Sequence, residues 1–279
     1  MSASSSSTPE PPSHDASLRR FAALVGLAQP PLGRCCALVA EHLGVDGAED
    51  RVEAALRALT ASTTDAVGVR PDLEAIADHL FGTLGFAGDR ARYHDRRNSL
   101  LPEVLRRRRG IPITLAVVTI EVAGRLGVEA SGVGMPGHFL VGRGPRPDRW
   151  LDPFDGGTWL DVDGARRCFA RIHGDVPFDR AYLEPTPEPL ILARVLANLL
   201  GVLRAEGDAT GVLRVAELRS AIPGVGTAPR SMVELGEAYV AVGRVPDALG
   251  VLERVHDLVD QRRRAGVRAR IDLLRANLN

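Results

Sequence analysis

The chain has 279 residues, 45% hydrophobic and 25% charged, a balance that suits an ordinary globular protein with one large core or two modest ones. Its 35 basic and 35 acidic residues cancel, so no global field points to nucleic acid or to an anionic membrane as partner. Every basic residue is arginine; without lysine, Schiff-base catalysis and the P-loop are excluded.

Aromatics are only 4%, so the core must be built from Leu, Val, Ile and Ala. The cysteines, Cys35, Cys36 and Cys168, form no spaced framework, and a reduced, cytoplasmic compartment is expected. Residues 1–16, rich in Ser and Pro, read as a disordered tail rather than a signal peptide. Glu121 and Arg194 interrupt the most apolar stretches, and no membrane span is expected.

From Leu18 to Leu59 the pattern is helical, with breaks at Pro30-Pro31 and Gly44. A helix is predicted over 72–84, where Leu73, Ile76, Ala77, Leu80, Phe81 and Leu84 share one face and Gly85 marks the stop. Asn98-Ser99 can cap a short helix that ends in Arg106–Arg109, and Gly110 breaks it. Pro112 then suits the first turn of a helix over 112–126, where its missing N–H costs nothing. Apolar residues surround that helix, so it belongs at the centre of the domain. Beyond Gly127 the period changes: 128–133, 138–143 and 149–154 read as short strands of an antiparallel sheet. After Pro185 the chain is helical. Asn198–Gly207 resembles Glu234–Gly243 at an offset of 36 residues, a spacing suited to tetratricopeptide-like helix pairs. Helices followed by an antiparallel sheet make the layout α+β.

Three motifs invite a false reading. Gly132-Val-Gly134-Met-Pro-Gly137 matches a dinucleotide fingerprint, but Pro136 and a strand follow where a helix must open. Asp161-Val-Asp163-Gly164 lacks the remaining ligands of a calcium loop and reads as a turn. The run Arg106–Arg109, in a neutral chain, reads as a solvated face or a set of ion pairs. His138 and Asp152 carry more. A hairpin turning at Gly144–Asp148 sets them opposite each other with Cβ atoms roughly 5 Å apart. A carboxylate beside an imidazole fixes its tautomer and raises its basicity, although a structural pair closing a hairpin has the same spacing.

The segments Asn98–Ala116, Gly132–Val141 and Leu151–Gly157 resemble the SirB-type, transglutaminase-like family of bacterial proteins. The resemblance runs from about residue 70 to the end. It implies a papain-like, transglutaminase-like α+β domain over 17–185 and tetratricopeptide-like helices over 186–279. In active members of the wider superfamily a Cys opens the buried helix, and a His and an Asp on following strands complete a triad. By this resemblance His138 and Asp152 match the His and the Asp, whereas Pro112 falls on the nucleophile. Thr114 is the nearest hydroxyl; it serves either as a weak nucleophile or as a partner of first-turn backbone groups. Cys35, Cys36 and Cys168 are expected to be buried hydrophobes. The expectation is a non-catalytic or weakly catalytic module that binds a protein or peptide through its helical repeats. The alternative is a cysteine-independent hydrolase or acyltransferase on amide or ester bonds, with His138 as base, Asp152 as its orienter and Thr114 or water as nucleophile. No cofactor and no metal is expected: a ligand set of His138 and Asp152 with Asp155 or His173 lacks an assured spacing.

Overall fold

The computed structural model describes residues 14–69 and 71–276. Most of the expected tail, residues 1–13, lies outside the described residues; His14 to Ala16, counted in that tail, instead open the first helix. Three helices start the chain: α1 (His14–Val25), α2 (Leu32–His42) and α3 (Ala48–Val67). The next, α4 (Leu73–Ala77), widens into a π-helical turn over Asp78–Thr83. There Leu84 N donates to His79 O and Phe86 N to Leu80 O. Gly85 stops it at φ 71°, a conformation glycine adopts without a Cβ penalty.

Strands β1 (Ala87–Gly88) and β2 (Arg109–Gly110) form a small parallel pair around α5 (Leu101–Arg107). The arginine run is consumed locally. Arg106 pairs with Glu103 and Arg107 with Asp89, while Arg108 and Arg109 donate to the carbonyls of Leu84 and Gly85.

The central element is α6 (Pro112–Arg125), with Pro112 in its first turn and every residue from Pro112 to Thr119 buried. It packs on α2, α3, α4, α5 and on the sheet. That sheet is antiparallel, in the order β3 (Ala130–Val133), β4 (Leu140–Arg143), β5 (Trp150–Asp152), β6 (Thr158–Leu160). The fourth strand falls outside the expected three; it is only three residues long and follows the Gly156-Gly157 turn. Asp161 accepts a hydrogen bond from Gly164 N and so caps α7 (Val162–His173), which explains the calcium-like motif as a helix start.

The remaining helices, α8 (Glu188–Glu206), α9 (Ala209–Ser220), α10 (Pro229–Ala241), α11 (Val245–Leu258) and α12 (Gln261–Ala276), each pack on the next. They do not stand apart. α8 also packs on α2 and α6, and one hydrophobic cluster runs from Phe21 through Val117 and Leu196 to Val251. The segment before α8 closes the edge of β3, where Thr186 N donates to Gly132 O at 2.7 Å and Thr186 Oγ1 accepts from Gly134 N at 2.9 Å. The fold is α+β, and no helix among the described residues is long and apolar enough to cross a membrane.

Candidate functional site

His138 lies in the loop between β3 and β4, and Asp152 ends β5. The expected cross-strand register is displaced by two residues. Val141 pairs with Leu151 and Gly142 with Trp150, which continues to Leu140 rather than His138 opposite Asp152. The turn itself lies at 144–148 as expected, with Arg143 N donating to Arg149 O at 3.5 Å; such a turn sets Leu140 opposite Asp152, and His138 reaches Asp152 along the diagonal. Its Nε2 and Asp152 Oδ2 are 2.8 Å apart, and both residues are buried. The other carboxylate oxygen, Oδ1, accepts from Phe154 N at 3.0 Å and Asp155 N at 3.1 Å. Asp152 is therefore fixed at both ends and holds the imidazole in one orientation.

A cavity of about 370 Å³ opens beside this pair, lined by Tyr93, Pro112, His138, Asp152, Phe154 and Cys168 among others, with Arg90 and Arg171 at its rim. Phe154 is pressed against β1; a Cβ on Gly88 would stand 2.3 Å from its ring, so only glycine leaves that wall in place. Arg90 pairs with Asp155 at 2.6 Å and lies over the Phe154 ring.

Pro112 lines the cavity, whereas Thr114 does not. Thr114 is buried, and its Oγ1 donates toward Asn98 O at 2.7 Å and Ile111 O at 3.1 Å while accepting from Ile111 N at 3.2 Å. The hydroxyl serves the open backbone groups at the start of α6. Thus His138 and Asp152 are brought together, and Thr114 is not brought to them.

Sequence reasoning missed two residues. The first is Cys168, expected to be an inert hydrophobe away from the pocket. One nitrogen of His138, one carboxylate oxygen of Asp152 and the Cys168 sulfur all lie within 4.8 Å of one another. A readable signal existed: Ala165, Cys168, Phe169 and Ile172 share one face of α7 at i, i+3, i+4 and i+7. Because α7 follows β6 directly, that face folds back over the end of the sheet. The second is Arg194 on α8, whose Nη2 donates to His138 O at 3.0 Å and to Met135 O at 3.2 Å. It tethers the loop that carries His138.

Burial pushes the Cys168 thiol up. An Arg171 hydrogen bond pulls it back, while the charges of Asp152 and Asp155 push it further up. Burial likewise lifts Cys35 to about 12 and Cys36 well above the ordinary value. Little thiolate is present at neutral pH, so iodoacetamide is expected to label the native chain slowly and faster as pH rises. Cys168 should react first, since its sulfur alone borders the cavity, and Cys35 and Cys36 only on unfolding. Mass mapping of the alkylated peptides checks this order; rapid labelling of Cys168 at pH 7 would reveal an activated thiolate instead.

Among known proteins, a UPF0162 protein of Xylella fastidiosa is 40% identical over 189 residues, covering 65% of this chain and 66% of its own length. The chain thus spans just under two thirds of that relative. The F-box only protein 21 of Mus musculus is 38% identical over 90 residues, covering 32% of this chain and 13% of that protein. Among solved structures menin, described as revealing the binding site for the Mixed Lineage Leukemia protein, superposes with a TM-score of 0.43 at 13% identity, over 90% of this chain and 71% of its own. Residues 46–197, which carry α6, the sheet, the cavity and its His–Asp pair, match the transglutaminase-like superfamily, and the chain belongs to that superfamily.

Proposed function

We propose that this chain is a binding member of its superfamily, of the SirB-type branch, taking a segment of a protein or peptide partner into the His138 cavity without turning it over. One observation carries the reading: proline, not cysteine, lines the cavity at the start of the buried helix. The superfamily's nucleophile is expected at that point, and proline has none to offer. The committed hydroxyl of Thr114 and the protonated thiol of Cys168 support the same conclusion. The rim donors Arg90, Arg171 and Tyr93 suit carbonyl and carboxylate oxygens of a partner. The helices α8–α12, read as tetratricopeptide-like, offer a second surface for an extended ligand, and buried free thiols suit a reducing, cytoplasmic setting.

A second reading, a hydrolase or acyltransferase on amide or ester bonds with His138 as general base, is favoured by the nearness of the Cys168 sulfur. In that version Cys168, not Thr114, supplies the nucleophile. The two readings separate in one assay: glutamine- and asparagine-bearing peptides and simple esters, tested for binding and for release of ammonia or alcohol. Saturable binding that Tyr93→Ala weakens, with no release above the His138→Ala background, is the expected result. Release that His138→Ala or Cys168→Ala abolishes in folded protein would sink the binding-only reading.

A further inference from the structure

We infer that His138, Asp152 and Cys168 form a binding site for a zinc ion, with the fourth coordination position turned to the cavity. The three side chains are 9%, 3% and 4% exposed, and their donor atoms all lie within 4.8 Å of one another. They come from three separate elements (the β3–β4 loop, the end of β5 and α7), which fixes them independently. One nitrogen, one oxygen and one sulfur donor match a borderline-soft cation; thiolate and imidazole select against magnesium and calcium.

The geometry is close to what such an ion needs. Zinc takes sulfur at about 2.3 Å and nitrogen or oxygen at about 2.0–2.2 Å, so tetrahedral donors stand roughly 3.3–3.6 Å apart. The His138–Asp152 contact of 2.8 Å must open by about 0.5 Å, and the sulfur, within 4.8 Å of both, must close by up to about 1.2 Å. Rotation about Cys168 χ1 and of the imidazole supplies movements of that size. Asp152 is already oriented by the N–H groups of Phe154 and Asp155, the kind of outer support that metal-binding carboxylates carry.

On binding, the thiol proton leaves to solvent, a lone pair on one His138 ring nitrogen is donated to the metal, and thiolate and carboxylate together neutralise its charge. This inference does not rest on the binding of a peptide, and its test needs none.

The test uses the full chain, stripped with a chelator, dialysed and titrated with cobalt(II) and then zinc. The expected result is one cobalt per chain, a sulfur-to-cobalt charge-transfer band with intense tetrahedral d–d bands, and displacement of both by zinc. Cys168→Ser should lose the charge-transfer band, and His138→Ala should bind zinc at least about 10-fold more weakly. A missing band overturns the proposal, as does one that survives in Cys168→Ser and so originates at Cys35 or Cys36. Should the variants fail to fold, zinc in the unaltered chain must protect Cys168 from alkylation, and a chelator must reverse that protection. Equal labelling with and without zinc overturns it too.

Discussion

Asp152→Ala is expected to lower the stability of the native chain by about 3 kcal/mol, read from urea denaturation, because three donors lose their acceptor together. The carboxylate is almost fully buried and accepts from Phe154 N and Asp155 N while meeting His138 Nε2. An alanine removes the acceptor of all three; an unmet buried donor costs about 1–3 kcal/mol, and the N–H groups of half-buried Phe154 and exposed Asp155 lie at the low end of that range. Asp152→Asn keeps an acceptor oxygen for the two backbone N–H groups and should cost about 1 kcal/mol, the share that belongs to the His138 contact alone. If the two substitutions cost the same, the turn after β5 does not depend on Asp152 as its geometry implies. The comparison also separates the structural duty of this residue from any chemical one, since Asn preserves the turn while removing the charge that orients the imidazole.

A chain ending at residue 185 is expected not to fold cooperatively. Ile191, Leu192, Val195, Leu196, Leu199, Leu200 and Leu203 of α8 are buried, and α8 packs on α2 and α6. Burying one such side chain is worth about 1.5–3 kcal/mol, against a net stability of about 5–15 kcal/mol for a whole domain. Removing α8 exposes the faces of α2 and α6 that it covers and releases the Arg194 tether on the His138 loop. In the full chain, Leu196→Ala should cost about 2–5 kcal/mol and shift one shared transition. The two tryptophans, Trp150 and Trp159, report on the sheet, whereas far-ultraviolet circular dichroism reports on all the helices. Coincident curves are the expected result; a truncated chain that melts cooperatively, or two separate transitions, would overturn it.

Much of this arrangement was legible in the residues. The buried helix announced itself through Pro112 and an apolar surface on all sides, and the His138–Asp152 pair through its spacing and its resemblance to a family. The details that escaped share a physical origin, because each depends on tertiary contacts that periodicity does not encode. The cross-strand register was two residues off although the turn falls at 144–148 as expected, because that turn pairs Arg143 with Arg149 and so leaves His138 beyond the last paired residue of its strand. The π-helical turn at Asp78–Thr83 keeps the apolar face expected of an α-helix while changing its hydrogen bonds. Cys168 had a visible helical face but no visible destination; only the fold of α7 over the sheet brings it to His138. Arg194, read as an interruption in an apolar stretch, is a half-buried cation satisfied by the carbonyls of Met135 and His138. Thr114 illustrates the reverse: the plain reading of a hydroxyl in a first helical turn describes its surroundings better than the chemical one.

The closure of β3 by Thr186 has a consequence for how the molecule behaves among its own copies. An uncovered strand edge is a template on which a second chain can add a strand, the first step of fibrillar association. Here the segment entering α8 occupies part of that template with one donated and one accepted hydrogen bond. At the opposite edge, β6 offers only three residues between a paired-glycine turn and the start of α7. Neither border of the sheet presents a long free ladder, so crowding this chain at high concentration should favour contacts through side chains over growth by strand addition.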